Sequence, residues 1–214
     1  IIISILAILT GGVLFGYSRW AEAKESKFLS SNGQTKDNYA IIKMRVEQLK
    51  KDSKNYDAFM SLAFAWKGIG DATKDEKYLR RSAKTYDKVI ARWGNKAYLP
   101  FVNRANVYIS LKEYSRAEDD LKIALEIDPG EQNLYIDLAE LYSGYMNKDS
   151  QVVKAVYEKG LKTLVGGGNL VLSYASYLRS IGDFKESLKY YKMLQQAYPN
   201  TDYNSTIKEL ESKI

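Results

Sequence analysis

The residue types that most often carry chemistry are sparse in this chain, and two are missing. Its 214 residues contain no cysteine and no histidine. Disulfide staples, thiolate nucleophiles, Cys/His zinc sites and serine–histidine triads are therefore excluded. The run Glu118-Asp119-Asp120 has the carboxylates for acid–base or metal work, but on an amphipathic helix it is expected to be a solvated outer face. Gly166-Gly167-Gly168 is followed by Asn169-Leu170 rather than Lys-Ser/Thr, so it reads as a loop between helices and not as a phosphate cradle. Asn204-Ser205-Thr206 has the form of an N-glycosylation acceptor. These residues describe a non-catalytic chain with no catalytic set, no cofactor and no metal.

Composition points the same way. Charged residues make up 27% of the chain, mean hydropathy is −0.38, and the net charge of +6 gives a pI near 9.1. That charge invites a nucleic-acid reading, but the lysines are dispersed and interleaved with acids, and Lys50-Lys51 is the most concentrated stretch. Nucleic acid is accordingly disfavoured as a partner. Three prolines and 18 tyrosines indicate helices that use aromatics as packing units.

The pattern that must organise these helices begins at Tyr56. Small residues stand at Ala63, Ala105, Ala139 and Ala175, separated by 42, 34 and 36. Three positions after each comes a large one: Trp66, Tyr108, Tyr142 and Leu178. A second set follows, with Ser82, Ala117, Val153 and Ser187 each four residues before Tyr86, Leu121, Tyr157 and Tyr191, and then Val89, Ala124, Gly160 and Leu194. Where two helices cross closely only small side chains fit, and a bulky residue one turn away fills the space to the next helix. Pro129 and Pro199 each lie five residues past the last position and stop the second helix.

This constellation resembles the tetratricopeptide repeat over roughly residues 56–201. The resemblance implies an all-α fold, a right-handed superhelix of antiparallel hairpins, with four repeats at about 56–97, 98–131, 132–167 and 168–201. Turns are expected at Gly182-Asp183 and at Gly70-Asp71, the latter followed by an insertion from Ala72 to Arg81, and the third repeat has a stretched turn from Tyr145 to Ser150. Residues 39–55 are expected to form an N-terminal half-repeat helix. Residues 202–214 should form a capping helix with Ile207, Leu210 and Ile214 inward. The family lines its concave groove with the first helix of each hairpin. Helical phase places there Met60, Phe64 and Lys67; Val102, Asn103, Asn106 and Ile109; Ile136 and Glu140; and Leu172, Ser176 and Arg179. A protein or peptide partner is the ligand implied. The lysines that some relatives use to clamp a peptide carboxylate do not accompany Asn106.

Ile1 to Tyr17 carries no charge and would span roughly 26 Å as a helix, against a hydrocarbon core of roughly 30 Å. Tyr17, Arg19 and Trp20 follow as an interfacial signature. Residues 1–18 are therefore expected to be a single membrane anchor, with 19–38 a membrane-proximal helix and linker and the repeats outside the cytoplasm. Gly12 and Gly16 share a helical face that permits self-association. Two other readings compete: a cleavable secretory signal, and a helix packed in the core of an extracellular filament. The leading functional expectation is a membrane-anchored scaffold for protein–protein assembly; the alternative is a structural subunit of a pilus-like filament.

Overall fold

A computed structural model describes residues 19, 21–94, 96–163 and 167–214. The expected anchor helix, with Gly12 and Gly16, lies outside the described residues. Among the described residues all regular structure is helical, and no helix is long and apolar enough to cross a membrane. The chain divides into two compact units, Ile1–Val89 and Ile90–Ile214.

The first unit holds α1 (residues 21–31), α2 (Lys36–Lys51), α3 (Tyr56–Thr73) and most of α4 (Glu76–Trp93). The polar run from Ser30 to Thr35, expected to be a break or linker, is a tight turn. The fully buried Thr35 hydroxyl donates to Leu29 O at 2.9 Å, and Asn32 Oδ1 accepts from Gln34 N at 2.8 Å. Leu29 of α1 then enters one core with Ile42, Leu62, Ala65, Ile69 and Tyr78, so α1 and α2 pack together as a hairpin. After α2, Asp52 Oδ1 accepts from Lys54 N at 3.0 Å, and Asn55 caps α3 by accepting from Ala58 N at 2.8 Å. Asp128 Oδ1 accepts from Gly130 N at 3.1 Å at the later inter-hairpin junction, so the serine in Asp52-Ser53 replaces the proline of Asp128-Pro129 without changing the turn.

The expected turn at Gly70-Asp71 is not there. Helix α3 runs through both residues to Thr73, and the chain reverses at Lys74, whose φ of 57° is left-handed. The extra residues lengthen both helices to 18 residues each, against 12 and 14 in the next pair, instead of forming a loop. Gly70 serves another purpose: a Cβ on it would stand 2.6 Å from Leu79 Cδ2 and 2.9 Å from Leu79 N. It is a close-approach glycine inside a helix.

The second unit holds three further hairpins and a last helix. These are α5 (Leu99–Ser110) with α6 (Tyr114–Ile127), α7 (Gln132–Glu140) with α8 (Ser150–Thr163), α9 (Gly168–Ser180) with α10 (Phe184–Ala197), and α11 (Asn204–Glu211). Ala105, Ala139 and Ala175 on the first helices are all buried, and so are Ala117, Val153 and Ser187 on the second. Where the second helix brings serine, its hydroxyl donates to the alanine carbonyl: Ser187 to Ala175 at 2.8 Å, and in the first unit Ser82 to Ala63 at 2.7 Å. The turn positions Lys112 and Gly182 are left-handed, with φ of 60° and 80°. In the third repeat the surplus residues go into a π-helical turn, Leu141–Tyr145, closed by Met146 N on Leu141 O at 3.0 Å, and then into a loop through left-handed Asn147.

Helix α11 lays Leu210 and Ile207 on the core formed by Ala175, Tyr191 and Leu194. Ile214, expected to face inward as well, is 66% exposed, because α11 stops at Glu211 and the last residues leave the packed face.

Candidate functional site

In every repeat the residue directly after the packing alanine emerges on an exposed flank of the first helix. Phe64, Asn106, Glu140 and Ser176 are all exposed, while the alanines before them are buried. The cause is the 100° step per residue of an α-helix: a side chain next to one aimed squarely at the crossing clears the partner helix. In the second unit this gives α5, α7 and α9 one exposed polar side chain each at the same helical phase, of which Ser176 also reaches the Tyr191 hydroxyl.

The remaining groove candidates divide by what they touch. Val102 packs on the core of Phe101, Ala124 and Leu134, and Leu172 on that of Ala175 and Tyr191, so both serve packing. Met60, Asn103, Ile109 and Ile136 are half-buried. In the first unit the Lys67 ammonium donates to Asp71 at 2.6 Å. Ser176 Oγ lies 3.1 Å from the Tyr191 hydroxyl, and Arg179 donates to Glu209 of α11, which ties the last first-helix to the capping helix.

Between α5 and α7 the surface opens into a cleft of about 100 Å³. Asn106 and Ile109 line one side, Asp137 and Glu140 the other, with Tyr145 at the edge and Ala105, Leu121 and Leu141 beneath. Two of these, Asn106 and Glu140, are free members of the helical ladder; Ile109 supplies an apolar wall. Nothing in the sequence singles out Asp137, because at its position beside Ile136 it reads as an ordinary helix-surface acid. It is half-buried, and among the described residues its carboxylate has no hydrogen-bond or ion-pair partner. Burial in the cleft raises its pKa, and the nearby charges of Glu140 and Glu131 add to the effect, pushing it up to about 6.

Cations on α5 and α6 are engaged elsewhere. Arg104 donates to Asp120 through Nε at 2.8 Å and Nη2 at 2.6 Å. Asp120 is 3% exposed, so the acidic run on α6 is not the solvated face that the sequence suggests. Of its three residues only Asp119 is exposed; Glu118 is half-buried and accepts from the Tyr142 hydroxyl at 2.9 Å and Lys122 at 2.6 Å. Arg116 lies over the Tyr108 ring, 4.0 Å from its centroid, and donates to its hydroxyl. A wider apolar trough of about 720 Å³ runs between α6 and α8, lined by Leu125, Leu138, Tyr142, Val152 and Val156. Among the described residues no group of three or more acids is placed to hold a metal ion.

No protein-family model matches the chain, and no curated protein does. Solved structures do. The chain is similar to MamA, with a TM-score of 0.57 and 18% identity over 74% of this chain and 87% of that one. It is similar to a tetratricopeptide repeat protein from Parabacteroides merdae, with a TM-score of 0.58 and 18% identity over 87% of this chain and 68% of that one. A thermophilic TPR protein from Thermus thermophilus superposes with a TM-score of 0.54 and 15% identity over 83% and 90% of the two chains. The fold is therefore that of tetratricopeptide-repeat proteins, with the helix crossings at the alanines where the sequence pattern puts them.

Proposed function

We propose that this chain is a non-catalytic scaffold that binds an extended segment of a partner protein along the first helices of its second unit. The observation that carries this reading is the ladder Asn106, Glu140 and Ser176: three exposed polar side chains at one helical phase, one per hairpin. Such a row can hydrogen-bond a peptide laid across the helices while apolar Ile109 and Ile136 beside it take its side chains. The test is recovery of partners by the full chain and by the triple variant Asn106→Ala, Glu140→Ala, Ser176→Ala. All three side chains are exposed, so the variant should fold normally and lose most of the bound protein. Equal recovery by both would sink the groove assignment.

The same reading holds the scaffold at a membrane through residues 1–18, with the repeats outside the cytoplasm. Its support is the uncharged run Ile1–Tyr17 and the Arg19 and Trp20 that follow. Alkaline extraction of membranes should leave the chain in the pellet, from which detergent releases it. Sedimentation as detergent-resistant filaments would favour the filament-subunit reading instead.

A further inference from the structure

We propose that the cleft between α5 and α7 is a specificity pocket for a basic side chain, a lysine or arginine of the bound peptide. This rests on the groove reading above and gives that groove a preferred partner chemistry.

The cleft's contents select the guest. Its charged groups are the carboxylates of Asp137 and Glu140, and Asn106 adds an amide oxygen at the mouth. A partly buried carboxylate without a partner is costly to keep, and folds seldom keep one without a use. Arg104, the nearest basic residue in sequence on α5, is committed to Asp120, so the chain itself does not neutralise Asp137. A volume of about 100 Å³ equals roughly three waters in the liquid, enough for an ammonium or guanidinium head and the last methylenes of its stem. Ile109 and the Tyr145 ring supply an apolar wall for those methylenes, and the ring face favours a cation. Tyr145 is held in place by the ring of Tyr114, with centroids 5.6 Å apart. A peptide's terminal carboxylate meets the opposite condition, since two like charges would oppose it. A metal ion would find only two carboxylates and one amide, and a lysine or arginine needs no more than that.

The experiment screens the full chain against a bead-bound library of random nine-residue peptides. The enriched peptides are expected to share a lysine or arginine at one position. The best binder is then remade with that residue changed to methionine, and both peptides are titrated against the wild-type chain and Asp137→Asn. In the wild type the exchange to methionine should weaken binding by about 10-fold or more; in Asp137→Asn it should change binding by less than about 2-fold. The asparagine is isosteric and removes an uncompensated charge, so this variant should melt no lower than the wild type and lost binding cannot be ascribed to unfolding. Enriched peptides without a basic residue, or a methionine penalty that is the same in both chains, would overturn the pocket while leaving the groove. Binding that ignores Asn106→Ala but is lost on Val152→Glu would overturn both and move the partner to the trough between α6 and α8.

Discussion

Arg104 and Asp120 join the two helices of one hairpin through a two-pronged ion pair, Nε to Oδ2 and Nη2 to Oδ1, with the Arg104 side chain 17% and the Asp120 side chain 4% exposed. The guanidinium also lies near the rings of Phe101 and Tyr108, so it is screened from water on its flanks. A pair this deep differs from the exposed i,i+4 pairs elsewhere in the chain, such as Arg80–Glu76. Removing one partner strands the other charge, so Asp120→Ala is expected to lower stability by about 3–5 kcal/mol, where Glu76→Ala should cost about 0–1 kcal/mol. Replacing both partners with apolar residues, Arg104→Met with Asp120→Leu, should recover most of the loss. Urea denaturation midpoints measure all three; a small effect of Asp120→Ala would mean the pair is solvated.

How far the sequence reveals this pair shows where its legibility ends. The alanine and aromatic spacing identifies the helical crossings because a close approach admits few residue types, and Ala63, Ala105, Ala139 and Ala175 are indeed buried. Charged residues carry no such constraint. Asp119 and Asp120 look alike in the sequence, yet the first is exposed and the second buried, because only Asp120 faces Arg104 one hairpin arm away. Gly70-Asp71 copies the Gly182-Asp183 turn in letters, but the insertion behind it lets α3 continue, and the turn moves to Lys74, where no glycine marks it. Asp137 is illegible for a related reason: the facing wall of its cleft comes from Ala105, Asn106 and Ile109 of α5, 28 to 32 residues earlier in the chain.

Two helical glycines make a matched test of close approach. A Cβ on Gly160 would lie 2.7 Å from Tyr135 Cγ and 2.8 Å from Leu170 Cδ2, whereas one on Gly144 would meet nothing within 4 Å. Alanine gains about 1 kcal/mol over glycine inside a helix. At Gly144, near the end of the π-helical turn, a part of that gain should appear as a higher melting temperature. At Gly160 the leucine end can move, but the buried Tyr135 ring cannot, so overpacking of about 1–3 kcal/mol should outweigh it. The two alanine variants should therefore shift the melting temperature in opposite directions.

The turn after α1 has a consequence for where the folded repeats begin. Leu29 is fully buried with Ile42 and Leu62, and Glu25 of the same helix receives Arg81 of α4 at 3.0 Å. Burial raises the Glu25 pKa, yet the hydrogen bonds from Arg81 and Tyr78 outweigh it and hold the carboxyl below its ordinary value. Leu29→Ala should cost about 2–5 kcal/mol, the range for a buried leucine. A chain starting at residue 37 should be less stable than one starting at 21 by more than that single substitution, as read by denaturant midpoints. Equal midpoints would make α1 a tether and not part of the packed unit.

Asp137 gives the cleft a pH signature whose sign is fixed by its environment. Its carboxyl is raised from 3.8 to about 6 in the folded chain. Ionising it therefore costs more in the folded state than in the unfolded one. Its contribution to stability is complete below about pH 4, falls as the pH climbs, and is gone above about pH 6. A rise of this size sets a ceiling of about 3 kcal/mol; partial exposure reduces the expected effect to roughly 1–2 kcal/mol. Asp183 works in the other direction, since the hydrogen bond from Lys154 holds its carboxyl low and its stabilisation grows as it ionises. The pH profile of the wild type alone mixes these opposing contributions. Subtracting it from the profile of Asp137→Asn removes the shared ones. That difference should be near zero at about pH 4 and rise to favour the variant by about pH 7. Saturation with the lysine peptide should add increasing stability to the wild type as the Asp137 carboxylate ionises, because the charge then has its partner, whereas the increment it adds to Asp137→Asn should change little between about pH 4 and 7.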